Sequence, residues 1–261
     1  MGATVTKMRL ASLALIVGLG MAAQAPADTI QLNIPPDTEH RQISVVVTRG
    51  LTSTTKLRSP ALRDARRRMM AGEDLKPEEL QALADHWDGL AALKYERYLK
   101  ASVADASASD IAWYGTIAVS TGRVWPLPDV VDALRELDPA TEPALRKKAY
   151  VAMLYPHAWA GNSLAIDAVI DLNGEGKLFG PMSAATEKRI MAEGDKIGDG
   201  RVALHLALVL IQKPDRTQAD VEMAQHYLKT AQASDNIEVK TTAANLASLL
   251  AADMTGTASQ G

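Results

Sequence analysis

Between residues 59 and 252 the apolar positions recur at intervals of three and four, the spacing that turns one face of an α-helix toward a core. Start signals divide this stretch into short helices. Ser59-Pro60 joins an N-cap hydroxyl to a proline at the first helical position, and the helix it opens is predicted to end near Ala71-Gly72. Pro77-Glu78-Glu79 opens the next, with negative charge at the positive end of the helix dipole. Further starts are predicted at Asp88-Gly89, Ser109-Asp110, Pro128-Asp129, Thr141-Glu142, Gly161-Asn162, Ser183, Gly200, Thr217 and near Ile237. Thr217 and Asp220 have the spacing of a capping box. The pattern as a whole predicts a run of short antiparallel helices.

Upstream the period changes to two. Ile30, Leu32 and Ile34 alternate with polar residues, and Ile43, Val45 and Val47 do so again beyond a Pro35-Pro36-Asp37-Thr38 turn, which reads as a β-hairpin. Two isolated strands are marginal in water, so this arm is expected to pack on the helices, to pair with a partner's strand edge or to stay mobile. Residues 51–56 read as a polar linker, and 28–58 together as an extended arm.

The helices show an internal period. Asp88-Gly89-Leu90-Ala91-Ala92-Leu93 matches Asp199-Gly200-Arg201-Val202-Ala203-Leu204 in residue type and spacing. With second helices of pairs starting near 89, 128, 161, 200 and 237, the separations are 39, 33, 39 and 37 residues, the range of helix-pair solenoids. One helix hairpin cannot bury its apolar stripe alone, so such hairpins stack and share a core. Ala82, Ala91, Ala92, Ala203, Ala207, Ala224 and Ala231 are the expected close contacts. Tyr95, Leu99, Leu206, Leu210, Tyr227 and Leu228 are expected to fill the space between layers. The predicted fold is an all-α solenoid of about five antiparallel helix pairs, spanning 59–252, with a short extended N-terminal arm and a flexible tail at 253–261.

Composition supports helices over strands: 47% of the 261 residues are hydrophobic but only 4% are aromatic, and alanine and leucine dominate. The first 27 residues hold Lys7 and Arg9, an uncharged run over 10–23, and then Ala23-Gln24-Ala25-Pro26-Ala27, with small residues where a signal peptidase requires them. This reads as a secretory signal peptide cleaved after Ala25 or Ala27, because the apolar run is shorter than the ~20 residues that span a bilayer. The expected destination is the periplasm. Residues 28–261 then carry 26 basic and 31 acidic side chains, a formal charge of −5, which argues against a nucleic-acid surface. The absence of cysteine excludes disulfides, thiolate chemistry and a lipid-modified N-terminal cysteine.

Motifs for chemistry are incomplete. His40, His86, His157, His205 and His226 form no metal-binding helical spacing, and no metal or cofactor is expected. Asp171-Leu172-Asn173-Gly174-Glu175-Gly176 begins like a calcium loop, but position twelve is Met182 where a bidentate glutamate should close the shell, so it reads as an interhelical turn. Ser53-Thr54-Thr55-Lys56 has the Ser-x-x-Lys spacing of penicillin-recognising enzymes without their companion motifs. Two features remain as possible partner-binding sites. Arg58, Arg63, Arg66, Arg67 and Arg68 form a basic patch in which Arg63 and Arg67 share a helix face. Of Trp87, Trp113, Trp125 and Trp159, most read as packing anchors, whereas Trp125 lies in a proline-flanked loop over 122–128 where no core position is required.

Ala224-Gln225-His226-Tyr227-Leu228-Lys229-Thr230-Ala231, followed by Asn236 and by Ala243-Ala244-Asn245-Leu246-Ala247, resembles the Sel-type branch of the tetratricopeptide repeat class. Leu172-Asn173-Gly174-Glu175-Gly176 is similar to that family's glycine-containing turn. The likeness extends over residues 76–252, and the Trp125-Pro126-Leu127-Pro128 region departs from it. The resemblance implies a curved α-solenoid whose concave face binds a protein, as an adaptor or regulator in the cell envelope, and it implies no catalysis. The alternative is an enzyme, or an enzyme's accessory subunit, acting on cell-wall material. That alternative needs convergent carboxylates, or a nucleophile with its base, lining a groove.

Overall fold

The computed structural model describes residues 43–258 other than Gly198, and the protein is all-α over that range. The expected signal segment and the first expected strand, residues 30–34, lie outside the described residues. A 3-10 turn at Thr54–Lys56 precedes eleven α-helices among the described residues. They are α1 (Pro60–Met70), α2 (Pro77–Ala84), α3 (Gly89–Ser102), α4 (Ala108–Ser120), α5 (Leu127–Glu136), α6 (Ala144–Trp159), α7 (Ser163–Leu172), α8 (Ala184–Ile197), α9 (Gly200–Ile211), α10 (Gln218–Gln232) and α11 (Ile237–Ala258). The last runs on past residue 252, where the sequence pattern placed the start of a tail.

Most helix starts are made by the side chains that announce them. Ser59 Oγ accepts from Leu62 N, Asp88 Oδ1 from Leu90 N and Ala91 N, Asn162 Oδ1 from Ala165 N, and Asp199 Oδ1 from Arg201 N and Val202 N. Each cap satisfies donors that the first helical turn leaves without an intrahelical acceptor. Thr217 and Asp220 close the expected capping box, with Asp220 Oδ2 accepting from Thr217 N at 2.9 Å. One start is displaced. The α6 helix begins at Ala144 rather than at Thr141-Glu142, because Thr141 N and Glu142 N both donate to Asp138 O in a preceding turn. Glu142 is instead buried, its carboxylate taking the Tyr150 hydroxyl at 2.7 Å.

The repeated Asp-Gly has a shared structural cause. A Cβ on Gly89 would lie 1.8 Å from Thr121 Oγ1, in the turn after α4, and one on Gly200 would lie 2.6 Å from Ser234 Cβ, in the turn after α10. In both places the aspartate caps a helix, and the glycine lets its first residue meet the end of the following helix. Hydrogen in place of a side chain is a steric requirement there.

Consecutive helices pack in pairs, most closely α3 with α4, α4 with α5 and α9 with α10, and alternate helices also touch: α4 with α6, α5 with α7, α7 with α9, and α9 with α11. Ala91, Ala92, Ala203, Ala207, Ala224 and Ala231 are buried, as are Leu99, Leu206, Leu210, Tyr227 and Leu228, while Ala82 and Tyr95 are half-buried. Two buried ion pairs tie distant segments: Arg66 on α1 to Asp88 before α3, and Arg201 on α9 to Asp167 on α7, each at 2.7 Å.

The second expected strand does not continue as a ladder among the described residues. Val46 forms one antiparallel bridge with Thr121, and Val47 N and Thr48 N both donate to Ser120 O at 2.9 Å. The carbonyl of buried Ser120 at the end of α4 thus serves as the acceptor on which the arm pairs. Val45 N donates to Nε2 of His157, and Leu51 N to Trp87 O, so residues 45–51 lie along the helices.

Candidate functional site

The α3 stripe Ala92, Glu96, Leu99 follows helical spacing, so its middle member is carried inward with its neighbours. Glu96 is 1% exposed and its Oε1 has no hydrogen-bond partner. Its stem runs beside Gly115 of α4, where the missing side chain lets Val130 of α5 approach closely. Burial pushes the Glu96 carboxyl up to about 7; the Asp129 carboxylate adds to the rise, while Lys100 and Arg97 oppose it. The desolvated carboxyl therefore holds its proton near neutrality unless something compensates its charge.

The loop between α4 and α5 supplies the opposite wall. Val124 and Leu127 are buried, and Leu127 N donates to Val124 O, so the loop is pinned on both sides of Trp125-Pro126. Between those anchors Trp125 stands 64% exposed. Trp125, Pro126 and Asp129 face Leu93, Glu96, Arg97 and Lys100 across a cavity of about 320 Å³. Asp129 lies in the first turn of α5, where the helix dipole favours its charge, and it forms an ion pair with Lys100. A wider hollow of about 570 Å³ carries Lys147, Lys148 and Lys177 but no buried polar side chain. The smaller cavity alone among these combines an exposed indole with a buried carboxyl that lacks a donor.

The basic patch is arranged differently. Arg66 donates to Asp88, Thr54 and the Leu51 carbonyl, which makes it an internal strut. Arg67 pairs with Asp64 at 3.0 Å, and Arg68 pairs with Asp64 and Glu79. Arg63 sits half-buried on α1 and Arg67 is exposed, and neither lines the cavity beside Trp125. The three sequence-derived candidates thus occupy two places, Arg63 and Arg67 on α1 and Trp125 at the cavity rim.

The remaining motifs have local structural roles. Ser53 Oγ caps the 3-10 turn by accepting from Thr55 N, while Lys56 Nζ donates to Thr52 Oγ1 and not to Ser53. Asp171 pairs with Arg135 at 2.9 Å, and Asn173 accepts from the Tyr155 hydroxyl and donates to Val169 O. His86 bonds the Ala82 carbonyl and His157 the Met153 carbonyl, while Nδ1 of His205 lies 3.4 Å from Asp167. Among the described residues no three histidine, aspartate or glutamate side chains converge as a metal site. Trp87 meets Trp113 edge-on at 6.1 Å, Arg146 lies over Trp113 at 5.3 Å, and Arg189 lies over Trp159 at 4.2 Å.

Glu96 was the functional candidate that motif searching missed. A carboxylate inside the Ala92-Glu96-Leu99 stripe is the signal that would have found it. Compared with known proteins, the chain matches no family model, no curated protein and no solved structure.

Proposed function

We propose that this chain is a protein-binding adaptor or regulator of the cell envelope, exported by its first 27 residues and built as a Sel-like array of stacked helix pairs. The packing of consecutive helices and the contacts between alternate helices support the array. The observation that carries the binding role is Trp125. It is a large amphipathic side chain held out to solvent by two buried neighbours, at the rim of a cavity with a carboxyl in its floor. Exposed tryptophans beside well-defined pockets are the residues on which interfaces concentrate their energy. The bound partner is a protein, with Trp125 as the anchor.

The test is a photo-crosslinking residue placed at 125 and, separately, at 145 in intact cells. Leu145 is 78% exposed on α6 and serves as the control. One discrete crosslinked protein from 125 and not from 145, which then binds the purified chain, is the expected result. No product at 125, or the same product from both positions, overturns the proposal.

A second reading draws support from Glu96 itself. A carboxyl raised to about 7 beside a second carboxylate, Asp129, has the acid–base pairing used in glycoside cleavage. Against it, the Asp129 carboxylate is engaged by an ion pair with Lys100. Release of soluble fragments from purified cell-wall polymer, lost on Glu96→Gln, would move the assignment to this reading.

A further inference from the structure

We infer that the cavity between Glu96 and Trp125 is an arginine pocket, which accepts the guanidinium of a partner protein's side chain between the Glu96 carboxylate and the Trp125 indole. The inference rests on the reading of the Trp125 face as the partner-binding face, and it specifies the chemistry of what enters.

The molecule's own pairings carry the argument. Among the described residues the buried carboxylates are Asp88, Glu96, Glu142 and Asp167. Asp88 is met by Arg66 and Asp167 by Arg201, both at 2.7 Å, and Glu142 takes the Tyr150 hydroxyl. Only Glu96 among them has no donor to its carboxyl, and Glu96 is also a lining residue of a cavity. The tryptophans show the same vacancy. Arginines lie over Trp113 and Trp159, and Trp87 packs on the edge of Trp113, whereas among the described residues no ring and no cation stacks on Trp125. A carboxylate that lacks its arginine and an indole that lacks its cation face one another across about 320 Å³.

One group completes both. A guanidinium carries five donors and no acceptor, stacks flat on an indole and sheds water more easily than an ammonium. The two cations that line the cavity, Arg97 and Lys100, are poorly placed to substitute. Arg97 follows Glu96 directly, and adjacent residues on a helix do not face each other. Lys100 is one turn away but is engaged by Asp129.

Entry of a cation adds to the charge compensation that Lys100 and Arg97 give Glu96. The charges acting on Glu96 are Asp129 from α5 and Lys100 and Arg97 from α3, and α4 contributes the uncharged Gly115 beside its stem. With the free carboxyl near 7, its ionised fraction rises about tenfold between pH 6 and pH 8, and affinity should rise by about the same factor.

The experiment titrates the full mature chain with acetyl-Gly-Arg-Gly-amide and follows the indole N–H resonance of Trp125 by NMR, assigned from Trp125→Phe. Parallel titrations replace arginine with lysine, citrulline or glutamate. Saturable shifts are expected with arginine, at least about tenfold weaker binding with uncharged citrulline, and a similar loss in Glu96→Gln, since a charge-assisted pair is being removed. Lysine should bind more weakly than arginine. Arginine affinity should increase from pH 6 to pH 8. The inference is overturned by an absence of saturable binding, by citrulline or glutamate matching arginine, or by Glu96→Gln binding as tightly as the parent chain. If the arginine peptide fails while residue 125 still crosslinks its partner, the pocket chemistry falls and the binding face stands. If the peptide binds but residue 125 captures nothing, the protein-partner reading falls instead.

Discussion

Glu96→Gln keeps the shape of the buried side chain and removes its ionisation. In the folded protein the carboxyl holds its proton up to about pH 7, against an ordinary glutamate value of 4.5 in the unfolded chain. Folding therefore takes up a proton between those values, and the stability that Glu96 contributes in acid is lost as pH rises through 7. The gap corresponds to about 3 kcal/mol at pH 8 and almost nothing at pH 4. Glutamine does not titrate, so the variant should gain about 3 kcal/mol on the parent between pH 4 and pH 8, or about 6–12 °C in melting temperature for a domain of this size. The unpaired amide N–H adds a constant offset that is the same at both pH values. Urea unfolding of both proteins at pH 4 and pH 8 measures the difference directly. Carboxylates held low in the fold titrate in both proteins and cancel, among them Asp220, kept at about 2 chiefly by the Thr217 hydroxyl. A stability difference that does not change with pH would refute the argument from burial.

Three further outcomes follow from the packing. Gly89→Ala should cost about 1–3 kcal/mol by forcing apart the α3 start and Thr121, and thermal melts will show it. Arg66→Ala leaves Asp88 buried without its guanidinium and should cost about 3 kcal/mol in denaturant unfolding, whereas Arg67→Ala, at an exposed ion pair, should leave the midpoint unchanged. Burial lowers the His157 pKa below its ordinary 6.5, so the unfolded chain takes a proton first and stability should fall as pH drops from 6.5. His157→Gln should flatten that part of the stability profile, measured by urea midpoints between pH 7 and pH 5.

The sequence was most informative where structure is made locally. Ser59, Asp88, Asn162, Asp199 and Thr217 cap helices within three residues of themselves, so the starts could be read without knowing the fold. It was least informative where a side chain's partner lies far along the chain. Arg66 looks like one of five basic neighbours until Asp88, twenty-two residues on, engages it. The alternation of Ile43, Val45 and Val47 was legible as extended chain, but its acceptor at Ser120 depends on where α4 ends. Trp125 was visible because prolines flank its loop. Glu96 was not, because its isolation arises only when α4, α5 and the loop between them close around it.

The binding role of the Trp125 face is tested most directly by Trp125→Ala, assayed for both stability and capture of the protein crosslinked from position 125. At 64% exposure the indole contributes little to folding, and the substitution should move stability by no more than about 0.5 kcal/mol. Partner affinity should fall by at least about tenfold, as for an anchor residue. A variant that is clearly destabilised yet binds its partner as tightly as the parent chain would make Trp125 a packing residue and remove the basis for placing the interface there.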